Sequence, residues 1–151
     1  NGNSTASIGD ATTLSFQTGI AENTLLFGSV RLSNWADNQI SVPTAAGLAQ
    51  VTSFEDGENF TIGIGRKFSD SLSASLSYYF SDGDGNGASE LSPYGETKTV
   101  SLGGKYTLNE GTDVSFGLSQ SERGDATTGN FTAKLSGSSV TSIGVKLTHR
   151  Y

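Results

Sequence analysis

The sequence predicts an antiparallel all-β fold, and more specifically a transmembrane β-barrel, from three features. Apolar and polar residues alternate with period two through several stretches of about ten residues, which is the length of a membrane-spanning strand. Short turns and long loops alternate between these stretches, as they do at the two ends of a membrane barrel. The last alternating stretch ends on an aromatic residue, Tyr151, which suits a strand that closes a sheet at a membrane interface.

Composition limits the fold and excludes several functions. Hydrophobic residues make up 34% of the chain and there are 20 glycines, so a large two-sided core is not expected. The chain has no cysteine and one histidine, His149, which argues against disulfides, thiolate chemistry, a zinc site and a Ser/His/Asp triad. The net charge of −6 with dispersed Lys and Arg argues against nucleic acid. We expect neither an enzyme nor a cofactor.

The clearest predicted hairpin lies near the middle of the chain. Phe60, Ile62 and Ile64 alternate with threonine and glycine, and a strand with Leu72 and Leu76 returns after a short turn, with serines between its apolar residues. Similar patterns elsewhere raise the count to about seven strands. They are predicted at residues 12–20, 24–35, 59–68, 71–81, 97–108, 112–121 and 139–151.

The remaining stretches lack sustained alternation and are interpreted as loops. Residues 1–11 are small and polar and are interpreted as an extracellular loop, and residues 36–58, 82–96 and 122–138 as long extracellular loops. A weak alternation through Phe131, Ala133 and Leu135 is interpreted as the top of a hairpin that rises above the membrane. The tight turns near Asn23, Ser69 and Asn109 then lie on the periplasmic side.

This alternation of tight turns and long loops predicts an incomplete barrel in the bacterial outer membrane. Seven strands with the chain end in the periplasm leave the chain start outside, and a single-chain bacterial barrel does not close with an odd strand count. The partners we expect are outer-membrane lipid, a hydrophobic small molecule and the strands that close the barrel. Those strands would come from the N-terminal half of the same barrel, as a separate or cleaved chain, or from further copies of this chain.

Two runs of residues resemble a known family. TLLFGSVRLSNW at residues 24–35, followed by FEDG at 54–57 and FTIGIG at 60–65, resembles the second half of the FadL family of long-chain fatty-acid transporters. VSLGGKYTLNEG at residues 100–111 and VSFGL at 114–118 are similar to that family's penultimate hairpin. The resemblance implies a fourteen-stranded barrel, plugged by an N-terminal hatch, that passes hydrophobic compounds such as long-chain fatty acids to a lateral opening. No hatch sequence precedes the first strand in these residues.

Two sets of side chains are candidates for membrane and ligand contacts. Four basic residues, Arg31, Lys67, Lys105 and Lys146, share the predicted inward row, where they would meet a carboxylate headgroup, acids of a plug, or water alone. Aromatic residues near the strand ends predict a girdle at the membrane interfaces. The girdle residues are Trp35, Phe60, Phe68, Tyr78, Phe80, Tyr106 and Tyr151.

One acidic loop resembles part of a calcium site. Asp82, Asp84 and Asn86 have the spacing of the first ligands of a calcium loop, but its twelfth position is Pro93 in place of the bidentate glutamate. A solvated acidic loop is therefore the favoured interpretation, and no metal is expected.

Three functional hypotheses remain. The favoured one is the wall of an outer-membrane channel for uptake of hydrophobic compounds. A structural or adhesive barrel whose long loops bind partners is the second, and a soluble β-sandwich that binds glycans is the third. Monomeric behaviour in plain buffer would favour the third and contradict both barrels.

Overall fold

The structure is a computed structural model that describes residues 9–83, 86–88, 93–129 and 132–150, and within these every regular element is a strand. No helix among the described residues is long and apolar enough to cross a membrane. The strands in chain order are β1 (Ala11–Ala21), β2 (Thr24–Ser33), β3 (Ser41–Thr44), β4 (Gly47–Gln50), β5 (Gly57–Lys67), β6 (Leu72–Ser81), β7 (Asn86–Ala88), β8 (Thr97–Asn109), β9 (Thr112–Arg123), β10 (Ala126–Thr128), β11 (Lys134–Leu135) and β12 (Ser138–His149).

Seven long strands form one antiparallel sheet in the order β1-β2-β5-β6-β8-β9-β12, which is also their order along the chain. The sheet is open: β1 and β12 are its edges and do not pair with each other. The seven-stranded antiparallel architecture predicted from the alternation is confirmed.

Tight turns join β1 to β2, β5 to β6 and β8 to β9 at one end of the sheet, which we call the short-turn end. Two of these turns need a left-handed backbone, and Asn23 (φ 56°) and Gly111 (φ 94°) supply it. A Cβ on Gly111 would also lie 2.8 Å from the carbonyl oxygen of Arg150, so the turn accommodates the end of β12 only with glycine. The other end carries the long connections and is called the long-loop end.

The register of the sheet places most apolar residues on one face and most polar residues on the other. Leu26, Ile64, Leu76, Leu102, Leu118 and Ile143 are successive partners across six strands. Most large side chains on this apolar face are exposed, from 39% for Val30 to 80% for Ile143 at the sheet edge. The face is therefore a broad apolar surface that no other part of the described chain covers.

The chain has almost no hydrophobic interior of its own. Among the described residues, the buried hydrophobic side chains are only Ala88 and Ala126, and both lie in short strands at the long-loop end. A soluble domain of this length normally buries well over half of the surface that its unfolded chain exposes. Hydrogen bonds between strands hold this sheet together, and its large apolar side chains lie outside.

The long connections contain more regular structure than their composition indicated. Residues 36–58, interpreted above as a loop, include the β3-β4 hairpin, in which Pro43 lies opposite Leu48. Proline is tolerated there because a two-stranded hairpin leaves each strand one unpaired edge. The connections at 82–96 and 122–138 meet in a small sheet in which β10 pairs with β7 and with β11. Leu135 of the weak alternation lies in β11, while Phe131 lies outside the described residues.

Candidate functional site

Small residues form a row across the middle of the polar face. In register order it runs through Gly19, Leu25, Gly65, Ser75, Gly103, Gly117 and Gly144, so Leu25 alone is large. A Cβ built on Gly117 or Gly144 would meet no atom within 4 Å. These glycines therefore do not relieve crowding within the sheet, and the row leaves open space above the polar face.

The next register row towards the short-turn end contains three of the four basic residues that the sequence singled out. Lys67, Lys105 and Lys146 alternate there with serines of β6 and β9. The Lys67 ammonium lies 2.6 Å from the carboxylate of Asp70 in the adjacent turn. This hydrogen bond and the lysine's positive charge lower the pKa of Asp70.

Asp113 is the centre of a second charge cluster at the short-turn end. Its carboxylate lies 3.0 Å from Nζ of Lys105 and 3.8 Å from a guanidinium nitrogen of Arg150, and it accepts a 2.7 Å hydrogen bond from the Thr107 hydroxyl. The cluster connects β8, β9 and the residue after β12. Lys146, in contrast, has no carboxylate within ion-pair distance among the described residues.

A cavity of about 800 Å³ lies beside this basic row. Leu25, Phe27, Lys67 and Lys105 contribute to its lining, so apolar groups and ammonium groups border the same space. The Phe27 ring occupies the space above Gly63, where a Cβ would clash with the ring. This arrangement suits a ligand with an apolar body and an anionic end.

A second cavity, of about 500 Å³, lies at the long-loop end and is called the long-loop cavity. Neighbouring strands form its base: Arg31 of β2 pairs in register with Asn59 of β5, Asn59 pairs with Ser81 of β6, and Tyr79 lies two residues earlier on the same face. The loop before β5 and the loop after β6 form its sides. They contribute Trp35, Phe54, Glu55, Asp56, Asp82, Gly83 and Tyr94.

A hydrogen-bond network centred on Gln39 fixes the loop that borders this cavity. The Gln39 amide donates to the carbonyls of Ala36 (2.8 Å) and Phe54 (2.7 Å), and its oxygen accepts from the Phe54 N–H (3.0 Å) and the Thr52 hydroxyl (2.9 Å). The Thr52 oxygen in turn accepts from the Ile40 N–H at 2.7 Å, and Thr52 is 1% exposed. One side chain thus joins both ends of the loop and holds Phe54 against Trp35, with ring centroids 6.2 Å apart.

The long-loop cavity has an acidic lining. Asp56 accepts a hydrogen bond from the Ala36 N–H (3.0 Å) and Asp82 from the Glu58 N–H (2.8 Å), which fixes both carboxylates in place. Neither forms an ion pair among the described residues, and Glu55 forms none either. Arg31 is the one basic residue of the lining, and its guanidinium donates to Thr13 of β1 at 3.4 Å.

The structure places the predicted girdle aromatics in different surroundings. Phe60, Tyr78 and Phe80 lie on the apolar face near the long-loop end, where the Phe60 ring centroid is 6.0 Å from that of Tyr78 and 5.5 Å from that of Phe80. Phe68 and Tyr106 lie near the short-turn end, where Arg66 covers the Phe68 ring. Trp35 instead lies past the end of β2, beside the long-loop cavity. Tyr151 is outside the described residues.

The candidate calcium loop is only partly described. Asp82 borders the long-loop cavity, Asp84 lies outside the described residues, and Asn86 contributes its backbone to β7. Within the described ranges, no three acidic, histidine or cysteine side chains are grouped so that they could hold a metal ion.

Sequence reasoning did not identify most of the long-loop cavity. Tyr79 gave a usable signal, because it is an aromatic residue in a strand row that otherwise consists of serines. Phe54, Glu55 and Tyr94 gave none, since their positions depend on how two loops fold over the sheet.

Comparison with known proteins supports the fold and leaves the family open. No family model matches the sequence, and no curated protein matches it significantly. Among solved structures, the chain is similar to a FadL homologue from Pseudomonas aeruginosa, with a TM-score of 0.64 at 13% sequence identity. The match covers 92% of this chain and 35% of that chain, so the chain spans about a third of its structural neighbour.

Proposed function

We propose that this chain forms part of the wall of an outer-membrane β-barrel channel through which hydrophobic compounds enter a bacterial cell. The main observation behind this proposal is the broad apolar face of a sheet that has almost no buried hydrophobic core among the described residues. Exposed apolar surfaces on soluble monomers rarely exceed a few hundred Å². Exposure of such a face is favourable when the sheet lies in a lipid bilayer. The polar face then borders an aqueous interior.

The strand lengths support a membrane span. The seven long strands contain 10 to 13 residues each. At about 3.3 Å per residue and a tilt of about 40°, they reach roughly 25–33 Å along the membrane normal. This matches the hydrocarbon core of a bilayer, which is about 30 Å thick.

The polar face supports passage of a ligand with an apolar body. Its small-residue row leaves space above the sheet, and the cavity beside Lys67 and Lys105 combines apolar and ammonium groups. Long-chain fatty acids, the substrates that the sequence resemblance implies, have this combination of apolar body and anionic end. The fold similarity to a FadL homologue supports a barrel of the transporter type.

The open edges require partners. Each unpaired N–H or C=O in hydrocarbon costs several kcal/mol, so β1 and β12 must pair with further strands when the sheet lies in a membrane. We assign these strands to the N-terminal half of the same barrel, because the structural neighbour is almost three times as long as the part that this chain matches. Mass spectrometry of the purified barrel tests the assignment: closure by copies of this chain alone would contradict it.

Site-directed spin labels test the membrane position of the sheet. This chain contains no cysteine, and any cysteine elsewhere in the full-length protein is first replaced by serine, so labels at Ile64→Cys on the apolar face and Ser75→Cys on the polar face report single positions. In the full-length protein in lipid vesicles, oxygen should relax the label at 64 more strongly and a water-soluble reagent the label at 75. The reverse order, or equal access from water, would contradict the proposal.

Uptake by cells tests the channel function separately. Bacteria that express the full-length protein should accumulate a labelled long-chain fatty acid or a labelled aromatic hydrocarbon faster than cells that lack it. A neutral sugar of similar mass serves as the control and should enter at the same rate in both strains. Equal hydrophobic uptake in both strains would contradict a transport role and favour the structural or adhesive barrel.

A further inference from the structure

The long-loop cavity has a chemistry that the uptake of fatty acids does not explain. Three carboxylates line it against one guanidinium, so its side chains sum to two negative charges. A fatty-acid carboxylate would meet like charge here. The basic row at the short-turn end has three ammonium groups against the carboxylates of Asp70 and Asp113, so its net charge is positive and the two ends of the polar face differ in the ligand ends they favour.

Aromatic rings accompany the acidic groups. Trp35 and Phe54 meet edge to face at 60°, and Tyr79 extends into the same space from β6. Arg123 already lies over the ring of Tyr94, with Cζ 5.8 Å from the ring centroid, so Tyr94 is not counted. The faces of aromatic rings attract organic cations, and Trp attracts them most strongly.

The size and construction of the cavity suit a small organic ligand. Its volume of about 500 Å³ lies within the range of roughly 300–1,000 Å³ typical of ligand sites. The two aspartates are fixed by backbone donors, and Gln39 fixes Phe54, so the carboxylates and one ring are positioned before a ligand arrives. Such preorganisation lowers the entropy that binding costs.

We propose that the long-loop cavity binds hydrophobic compounds that carry an organic cation, such as a quaternary ammonium group. The apolar part lies against Trp35 and Phe54, and the cation lies among Glu55, Asp56 and Asp82. Arg31 does not neutralise the site, because its one positive charge stands against three carboxylates and forms no ion pair with them among the described residues. The inference rests on the proposed channel function and names the class of ligand bound at the long-loop end, which in that function faces the cell exterior.

Direct binding tests the inference without any transport step. The full-length protein in lipid nanodiscs is titrated with phenyltrimethylammonium, with its uncharged isostere tert-butylbenzene, and with benzenesulfonate. Trp35 is the single tryptophan of this chain, and subtraction of a Trp35→Phe titration isolates its emission from any other tryptophan. We expect the cation to bind at least about fivefold more tightly than the neutral isostere, and benzenesulfonate to leave Trp35 unaffected. Equal or tighter binding of the anion would overturn the proposal.

Charge-neutral variants test the role of the carboxylates. A Glu55→Gln/Asp56→Asn double variant keeps an oxygen that accepts from the Ala36 N–H and should weaken binding of the cation roughly fivefold to tenfold. Binding of tert-butylbenzene should not change, which shows that the cavity is intact. The matched control is Glu22→Gln/Glu110→Gln, which removes the same charge from the short-turn end and should leave both affinities unchanged.

The other outcomes of these titrations also decide whether the cation binds in this cavity. Unchanged affinity for the cation in the double variant, or an equal loss in the control, would refute the assignment to this cavity. If the double variant also loses the neutral ligand, Glu55→Gln replaces it, because the Glu55 carboxylate makes no hydrogen bond in the described residues. If the cavity binds the cation but cells show no protein-dependent uptake of hydrophobic compounds, this inference stands and the channel function is refuted. Failure of the cation site and failure of the channel function can therefore be distinguished.

Discussion

Arginine substitutions at two adjacent residues would decide which face of the sheet meets lipid. Leu102 and Ser101 are neighbours near the middle of β8, where Leu102 is the sixth of thirteen residues. Leu102 lies between Leu76 and Leu118 on the apolar face, and Ser101 lies between Ser77 and Ser119 on the polar face. The two substitutions therefore introduce the same side chain at nearly the same depth, on opposite faces.

The expected difference is large enough to measure. An arginine on the lipid face of a barrel costs about 2–4 kcal/mol near the midplane, so Leu102→Arg should raise the unfolding equilibrium constant roughly 30-fold to 1,000-fold. Ser101→Arg adds a charged side chain next to serines on a face with open space, where a change of about 0.5 kcal/mol is expected. The ratio between the two variants removes errors that affect both equally.

Urea unfolding of the full-length protein in lipid vesicles measures both free energies, with electrophoretic mobility of unheated samples as an independent measure of folding. Wild-type protein and a Ser101→Lys variant serve as controls for folding yield and for the choice of cation. If Leu102→Arg and Ser101→Arg lose equal stability, the two faces do not differ in their surroundings. If Ser101→Arg loses more, the assignment of faces is reversed.

Three further changes have expected outcomes. Gln39→Ala removes the hydrogen bonds that hold Phe54 and should speed proteolysis of residues 36–56, while folding of the sheet is unchanged; equal proteolysis would contradict its role. Asp113→Asn removes the charge that Lys105 and Arg150 share and should accelerate amide exchange at the end of β12 but not of β1. Because the pKa of Asp70 is lowered in the folded protein, its contribution to stability is present above the unfolded pKa and is lost as pH falls through the folded value. Asp70→Asn should therefore reduce the acid sensitivity of the adjacent turn, measured by amide exchange.

The sequence predicted the sheet better than the loops because strand alternation is a local signal. Ile62, Ile64 and their partners repeat every second residue, and the tight turns carry asparagine or glycine where the backbone requires it. The β3-β4 hairpin escaped prediction because Pro43 and small residues obscure its pattern. Its position is set by hydrogen bonds from Gln39, a residue that is unremarkable in the sequence.

The candidate site was predictable in part for the same reason. Lys67, Lys105 and Lys146 share a row because each lies at an inward position of a predicted strand, so counting by two was sufficient. The ion pair of Lys105 with Asp113 was not anticipated, since it depends on the pairing register of β8 and β9. The long-loop cavity depends on contacts between two loops that are far apart in sequence, and no periodic pattern encodes such contacts.

The identity between strand order in the sheet and strand order in the chain has an evolutionary consequence. Every long strand pairs only with the long strands that precede and follow it, so the sheet is a linear array of hairpins. Duplication or loss of one complete hairpin would change the circumference of a barrel by two strands and would leave both chain ends on their original sides. Interior width could therefore diverge between related proteins by whole hairpins, while the alternation within each strand stays under the same selection.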